Sequence, residues 1–448
     1  MKIRFSGELY SEIYIKEDKK MKKRVMVKRL LLVTLILVMV LVCINVNAKP
    51  KEIKLVYWTY VEEYTKTLDY YREQLKEFQK KYPHVDIDFI MIPYEGSDAK
   101  LLTAFTGRKN APDMFVGKVP YFAGGLKIAE PVPADLSKHY DNVIVDKIKE
   151  FVKYDGKYYG YPLESDLGMM LFYNTDMFKE AGLDPNKPPR TLDELVEYAQ
   201  KLTKYDKDGN ITRQGFAIRF SGNPTGIADK WLPFLHACGG RLYSPDGEKA
   251  SGYINSPQAI EALQFYTDLV YKYKVSSLTL GKPDDTFPKS QAAMFPRESW
   301  QVGWLKENAP HINFATASLV SGRATPGISL LFTQAIMVYK HGPNKDMCWE
   351  WLRFITTREH DMYIAKLEGY LPVHKENFKD DYVAKRVDYH EIKHIMESPA
   401  SPYYGHPKIT EISYVVGQAI VEALTKQKTP KEALDNAAKQ MDRLMAER

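Results

Sequence analysis

A strand–helix–strand unit near residue 50 constrains this chain more than any other feature. Ile53-Lys54-Leu55-Val56-Tyr57-Trp58 is a short apolar strand. Leu68, Tyr71, Leu75, Phe78 and Tyr82 then recur at spacings of three and four, one face of an amphipathic helix. Pro83 ends that helix, because proline has no N–H to extend the ladder. Val85-Asp86-Ile87-Asp88-Phe89 follows with the alternation of a half-buried strand. Such a unit favours a parallel sheet with helices packed on its faces. Further strands are predicted over Asp113 to Gly117 and in the nearly continuous apolar run from Ile328 to Tyr339.

Later helices announce their starts. Thr191 with Glu194 forms a capping box ahead of Leu192, Leu195, Ala199 and Leu202. Ser256-Pro257 sets an N-cap before a proline at the first helical position. Thr429-Pro430 with Glu432 repeats that logic for the last helix. The pattern as a whole is that of a large α/β protein.

The ends of the chain differ in charge. Ten of the 63 Lys and Arg and four of the 57 Asp and Glu fall within residues 1–48, which leaves 53 of each in the remainder. The formal net charge of +6 therefore belongs to the leader, and the body offers no positive field for nucleic acid. Within the leader, Lys22, Lys23, Arg24, Lys28 and Arg29 precede an uncharged stretch from Leu30 to Ile44, and Val46-Asn47-Ala48 ends in small residues. That layout predicts a secretory signal peptide cleaved after Ala48, with Met21 as an alternative start. The rival reading is an N-terminal membrane tether, for which the apolar run is short against the roughly 20 residues a span needs. Cys43 follows Val42, so lipid attachment there is the lesser reading. Cys238 and Cys348 remain after cleavage, and two buried thiols are expected rather than a disulfide.

Several segments, in order, resemble the extracellular solute-binding proteins of sugar-specific ABC importers, the maltose-binding-protein-like family. They are Gly160-Tyr161-Pro162, Leu171-Phe172-Tyr173-Asn174 and Phe178-Lys179-Glu180-Ala181-Gly182, then Cys238-Gly239-Gly240, Asn255-Ser256-Pro257 and Gln291-Ala292-Ala293-Met294 with Ser299-Trp300. Trp351-Leu352-Arg353-Phe354-Ile355-Thr356 and Gly369-Tyr370-Leu371-Pro372 complete the series. The resemblance implies an α/β, two-lobed periplasmic-binding-protein fold of type II, each lobe a mixed sheet flanked by helices, with a hinge between. By analogy, lobe one takes 49–163 plus 320–365, and lobe two takes 164–319 plus 366–448. The implied role is non-enzymatic: capture of a mono- or oligosaccharide outside the membrane and delivery to an ABC permease, as a monomer without cofactor.

Sugar recognition needs flat aromatic platforms and fixed polar groups. Trp58 and Tyr60 sit where the first strand ends, the usual ligand edge of an open α/β sheet. Trp58 matches an aromatic position that contacts sugar in the family. Glu62 lies in the same loop, and a solvated helix start explains it equally well. Trp300 matches the family's stacking Trp, although Arg297-Glu298 replaces the usual small residues before it. Trp231 precedes Gly239-Gly240 as a cleft Trp does in the family. Either Glu164 or Asp166 corresponds to an acidic sugar ligand, and the spacing does not choose between them. Tyr121 and Tyr414 complete the candidates.

One motif argues for a different class. His390-Glu391-Ile392-Lys393-His394 is an H-E-x-x-H sequence, which on a helix presents two imidazoles for zinc and a glutamate base. Glu397 stands where the extended zincin pattern requires Gly, so a secreted zinc peptidase is the alternative reading and a solvated helix the preferred one. A polyol or phosphorylated polyol is the alternative ligand. Asp206-Lys207-Asp208-Gly209-Asn210 lacks the spacing of a calcium loop and reads as a polar turn between a helix and a strand.

Overall fold

The computed structural model describes residues 18–36, 51–59, 65–93, 96–107, 111–162, 166–167, 169–319, 331–390, 392–393 and 405–447. Residues 18–36 form a helix exposed from Lys19 onward, covering the first part of the leader's apolar stretch. Among the described residues, no helix is long and apolar enough to cross a membrane. Cys43 and the expected cleavage point at Ala48 lie outside the described residues.

The body holds two main sheets. The first uses β1 (Ile53–Thr59), β2 (Val85–Met91), β3 (Met114–Gly117), β4 (Gly160–Pro162) and a strand from far along the chain, β8 (Ala335–Val338), in the order β2-β1-β3-β8-β4. β1 and β3 run parallel, with Tyr57 opposite Met114 and Trp58 opposite Phe115. β8 is antiparallel to both neighbours, pairing Ile336 with Val116 on one side and with Tyr161 on the other. The sheet is therefore mixed. All four residues of β8 are buried, as a central strand covered on both faces requires. The expected strand from Ile328 is shorter than its apolar sequence: Leu331–Phe332 pair instead with Asp166–Leu167 before β8 begins.

Helix α1 (Thr65–Lys81) covers this sheet with the predicted stripe, Leu68, Tyr71, Leu75 and Phe78 all being buried. Helix α5 (Lys345–Ile355) meets it through Trp351, which is fully buried with its ring edge-on to Phe78 at 5.3 Å and to Tyr71 at 6.2 Å. Burying one such aromatic ring contributes about 2–3 kcal/mol.

The second sheet is antiparallel throughout: β6 (Met294–Arg297), β5 (Met170–Asn174) and β7 (Phe314–Ser318), in that order. Helices α3 (Pro224–Ala237) and α7 (Ile409–Leu424) pack on each other. These two approach so closely that a Cβ on Gly417 would lie 1.9 Å from the Pro224 carbonyl oxygen, so only glycine fits. The chain passes from the first sheet to the second between β4 and β5 and returns at β8; the later helix α6 (Arg358–Glu368) packs on α1.

Capping follows the sequence with one variation. Thr429 and Glu432 exchange both bonds of the capping box. Thr191 accepts from the Glu194 N–H, but the Glu194 carboxylate takes the N–H of Arg190, one residue earlier than expected. The Asp206 loop joins two short strands, Lys204–Tyr205 and Ile211–Arg213, rather than a helix and a strand; its carboxylate accepts from the N–H groups of Asp208 and Asn210. That is an Asx turn, in which the side chain mimics a backbone carbonyl. Cys238 and Cys348 are reduced and buried.

Candidate functional site

β1 alternates, burying Leu55, Tyr57 and Thr59 and turning Trp58 to the other face, where it is part-exposed. The indole Nε1 is enclosed and has no hydrogen-bond partner among the described residues. Lys100, on helix α2 (Ser97–Gly107), places its Nζ 5.6 Å from the Trp58 ring centroid. Asp98 on the same helix accepts from the Thr410 hydroxyl of α7 at 2.9 Å. Tyr414 lies one turn beyond Thr410, on the same helix face, and is 47% exposed. Tyr121, in the turn Pro120–Gly125, is buried, and burial pushes its phenol well up, with the carboxylates of Glu411 and Asp98 adding to the shift. Burial also raises Glu411. Trp58 and Tyr121 thus lie near the start of α2, and Tyr414 follows one helical turn after the Thr410 that reaches it.

A second group forms at the end of β6. Every residue from Ala292 to Val302 is buried except Trp300. Beneath it runs a chain of buried charges. Lys230 on α3 donates to Glu298, and both side chains are nearly solvent-free. Arg297 contacts Asp284 at 2.9 Å and the other Glu298 oxygen at 3.3 Å. Its guanidinium also lies over the Trp300 ring, 4.7 Å from the centroid. Burial alone would raise the Glu298 carboxyl, but the Lys230 and Arg297 cations outweigh it and bring it down to about 2. Two cations and two anions cancel, which is how such charges are tolerated away from water.

α7 touches both groups, reaching Asp98 through Thr410 and α3 through Gly417. Trp231, next to Lys230, is wholly enclosed and presents no surface to a ligand. Tyr60, Glu62 and Glu164 lie outside the described residues, and of Asp166 only the backbone is described. Arg297, Glu298, Lys230 and Asp284 were not sequence candidates. The available signal was the charged pair Arg297-Glu298, one proline beyond the apolar run Ala292-Ala293-Met294-Phe295.

His390 is exposed, Glu391 and His394 lie outside the described residues, and no group of three or more metal-ligating side chains occurs among the described residues.

Two sheet-based lobes, linked by several chain crossings and carrying aromatic side chains at strand ends, define a class: the two-lobed periplasmic binding protein. Residues 73–389 match the bacterial extracellular solute-binding proteins, and the chain belongs to that family. An ABC transporter solute-binding protein from Thermotoga lettingae, solved with alpha-D-tagatose bound, superimposes with a TM-score of 0.76 at 27% identity, covering 89% of this chain and 100% of that one. A maltose-bound T. maritima protein shares the fold with a TM-score of 0.75 at 24% identity, over 88% of this chain and 100% of its own. The arabinooligosaccharide-binding protein of Bacillus subtilis is 22% identical over 425 residues, 88% of this chain and 92% of that protein.

Proposed function

We propose that the protein is the substrate-binding component of an ABC importer and captures a neutral mono- or oligosaccharide outside the membrane. The observation that carries this reading is Trp300, a part-exposed indole in an otherwise buried segment, seated at a strand end on a charge-balanced base. An indole face suits the C–H surface of a sugar ring. The charges beneath it cancel among themselves, so this part of the site favours a neutral ligand over a phosphorylated one. Trp58 supplies a second platform, with Tyr60, Glu62, Tyr121, Tyr414 and Glu164 or Asp166 as rim contacts.

In this reading the leader is removed near Ala48 and the mature monomer works in the periplasm or at the cell surface. Lobe one comprises 49–163 and 320–365, and lobe two 164–319 and 366–448. Sugar drives closure only to the extent that it binds the closed form better than the open one. The closed surface is what a permease reads, and no residue is assigned to bond-breaking chemistry.

Calorimetric titration with D-tagatose, maltose and arabinotriose tests the reading. Trp58→Ala and Trp300→Ala should each weaken the best of these by about tenfold or more, with the fold intact, as expected for losing a central aromatic anchor. Unchanged affinity in both variants would overturn the site.

A further inference from the structure

We propose that Arg297 is a positioning residue for the Trp300 platform: anchored by Asp284 and by the Lys230–Glu298 pair, its guanidinium covers one indole face and holds the ring so that a single sugar ring stacks on the other. The inference rests on the saccharide reading of Trp300 and extends it to residues that touch no ligand.

The geometry has three parts. The guanidinium stands 4.7 Å from the ring centroid, within the range in which a cation is attracted to an aromatic face. It is not a mobile surface cation: Arg297 is 8% exposed, with Asp284 at 2.9 Å on Nε and Glu298 at 3.3 Å on Nη1. Glu298 is itself fixed by Lys230, reaching in from α3. Each member is therefore held by the next, and the chain of contacts ends on the ring.

Trp300 needs such a support because of where it sits. It is the N-cap of helix α4 (Gln301–Asn308), with no side-chain capping bond. The backbone before it is held separately, by the buried Arg386, whose Nη2 donates to the Ser299 carbonyl at 3.4 Å. The backbone is thus fixed by Arg386, and the ring orientation by Arg297. A platform already fixed in the free protein loses little side-chain freedom when a ligand stacks on it, which converts contact into affinity. The covered face is also unavailable to ligand, so Trp300 serves one sugar ring rather than being sandwiched between two.

Two readouts test this on the protein purified as exported. The first needs no ligand: fluorine NMR of the 5-fluorotryptophan-labelled protein, with the Trp300 resonance assigned by its loss in Trp300→Phe. Arg297→Gln should shift and broaden that resonance, and Arg297→Lys, which keeps the cation, should restore most of its sharpness. The second is a double-mutant cycle on binding of D-tagatose, maltose or arabinotriose, whichever binds tightest. Arg297→Gln should weaken binding about tenfold in the native background and less than about twofold in Trp300→Ala, because its effect passes through the ring. Where Arg297→Gln fails to fold, Asp284→Asn releases one anchor and should give the same changes in milder form. A Trp300 resonance unmoved by Arg297→Gln and Asp284→Asn, or equal losses in both backgrounds, would overturn the proposal. Failure of every probe to bind the native protein would instead sink the saccharide reading, leaving the fluorine spectra to decide whether Arg297 holds the ring.

Discussion

Gly303 and Gly369 meet backbone to backbone. A Cβ on Gly303 would lie 2.8 Å from both the Glu368 carbonyl oxygen and the Gly369 Cα, and one on Gly369 would lie 2.5 Å from the Gly303 Cα. The contact joins the first turn of α4, just past Trp300, to the end of α6, where Gly369 adopts φ +79°. No side chain separates the two segments, so their spacing is set by the absence of two methyl groups.

Gly303→Ala should therefore destabilise the protein by about 1–3 kcal/mol, the usual cost of overpacking a fitted contact. Gly107→Ala, where an added Cβ meets nothing within 4 Å, is the control and should change little. Urea unfolding of both variants checks the difference. Equal stability would mean that the α4–α6 contact is loose.

A second prediction concerns Arg386 and Asp388, an ion pair closed by bonds of 2.8 and 2.7 Å and essentially removed from solvent. Arg386 also donates to the Gly369 carbonyl at 2.6 Å and the Tyr382 hydroxyl oxygen at 2.8 Å. Removing either partner strands a buried charge, so Arg386→Met or Asp388→Asn should each cost about 3–5 kcal/mol. The double variant should cost clearly less than the sum of the two, because the second change removes the charge that the first left unpaired. Additive losses in denaturant unfolding would contradict the pairing.

The third is a pH dependence. His236, half-buried near the end of α3, has its imidazole lowered to about 4, first by desolvation and then by the Arg241 cation. In the unfolded chain it takes up its proton near pH 6.5. Between those values the unfolded state binds a proton that the folded state refuses, so stability falls as pH drops from about 6.5 to about 4. The full effect is on the order of 3 kcal/mol. Glu298 acts in a lower window, its contribution being present above about 4.5 and lost toward about 2. Urea midpoints at pH 7.5 and 5 should therefore differ more for the native protein than for His236→Gln. An identical drop in both would assign the effect elsewhere.

The elements legible in the sequence were those whose causes are local. The stripe from Leu68 to Phe78, the complete capping box at Thr429 and the buried run of β8 each depend on residues within a few positions of one another. The place of β8 between β3 and β4 was not legible, because strand order is decided by packing across more than 150 residues of chain. The site divides the same way. Trp58 and Trp300 are single large aromatics at strand ends, a signal that sequence carries. The base under Trp300 joins Lys230, Asp284, Arg297 and Glu298 from three separate segments. Only the fold brings them within bonding distance, and in the sequence Arg297-Glu298 read as a departure from the family rather than as a support.

Thermal unfolding of the exported protein against saccharides, polyols and zinc tests the central claim most directly. A ligand that binds only the folded form stabilises it by about 2.7 kcal/mol at a hundredfold excess over its dissociation constant. The predicted result is a raised midpoint with one class of neutral saccharide, lost in Trp58→Ala and Trp300→Ala. A rise with zinc alone, and none with any saccharide, would contradict carbohydrate capture and return attention to His390 and the H-E-x-x-H sequence.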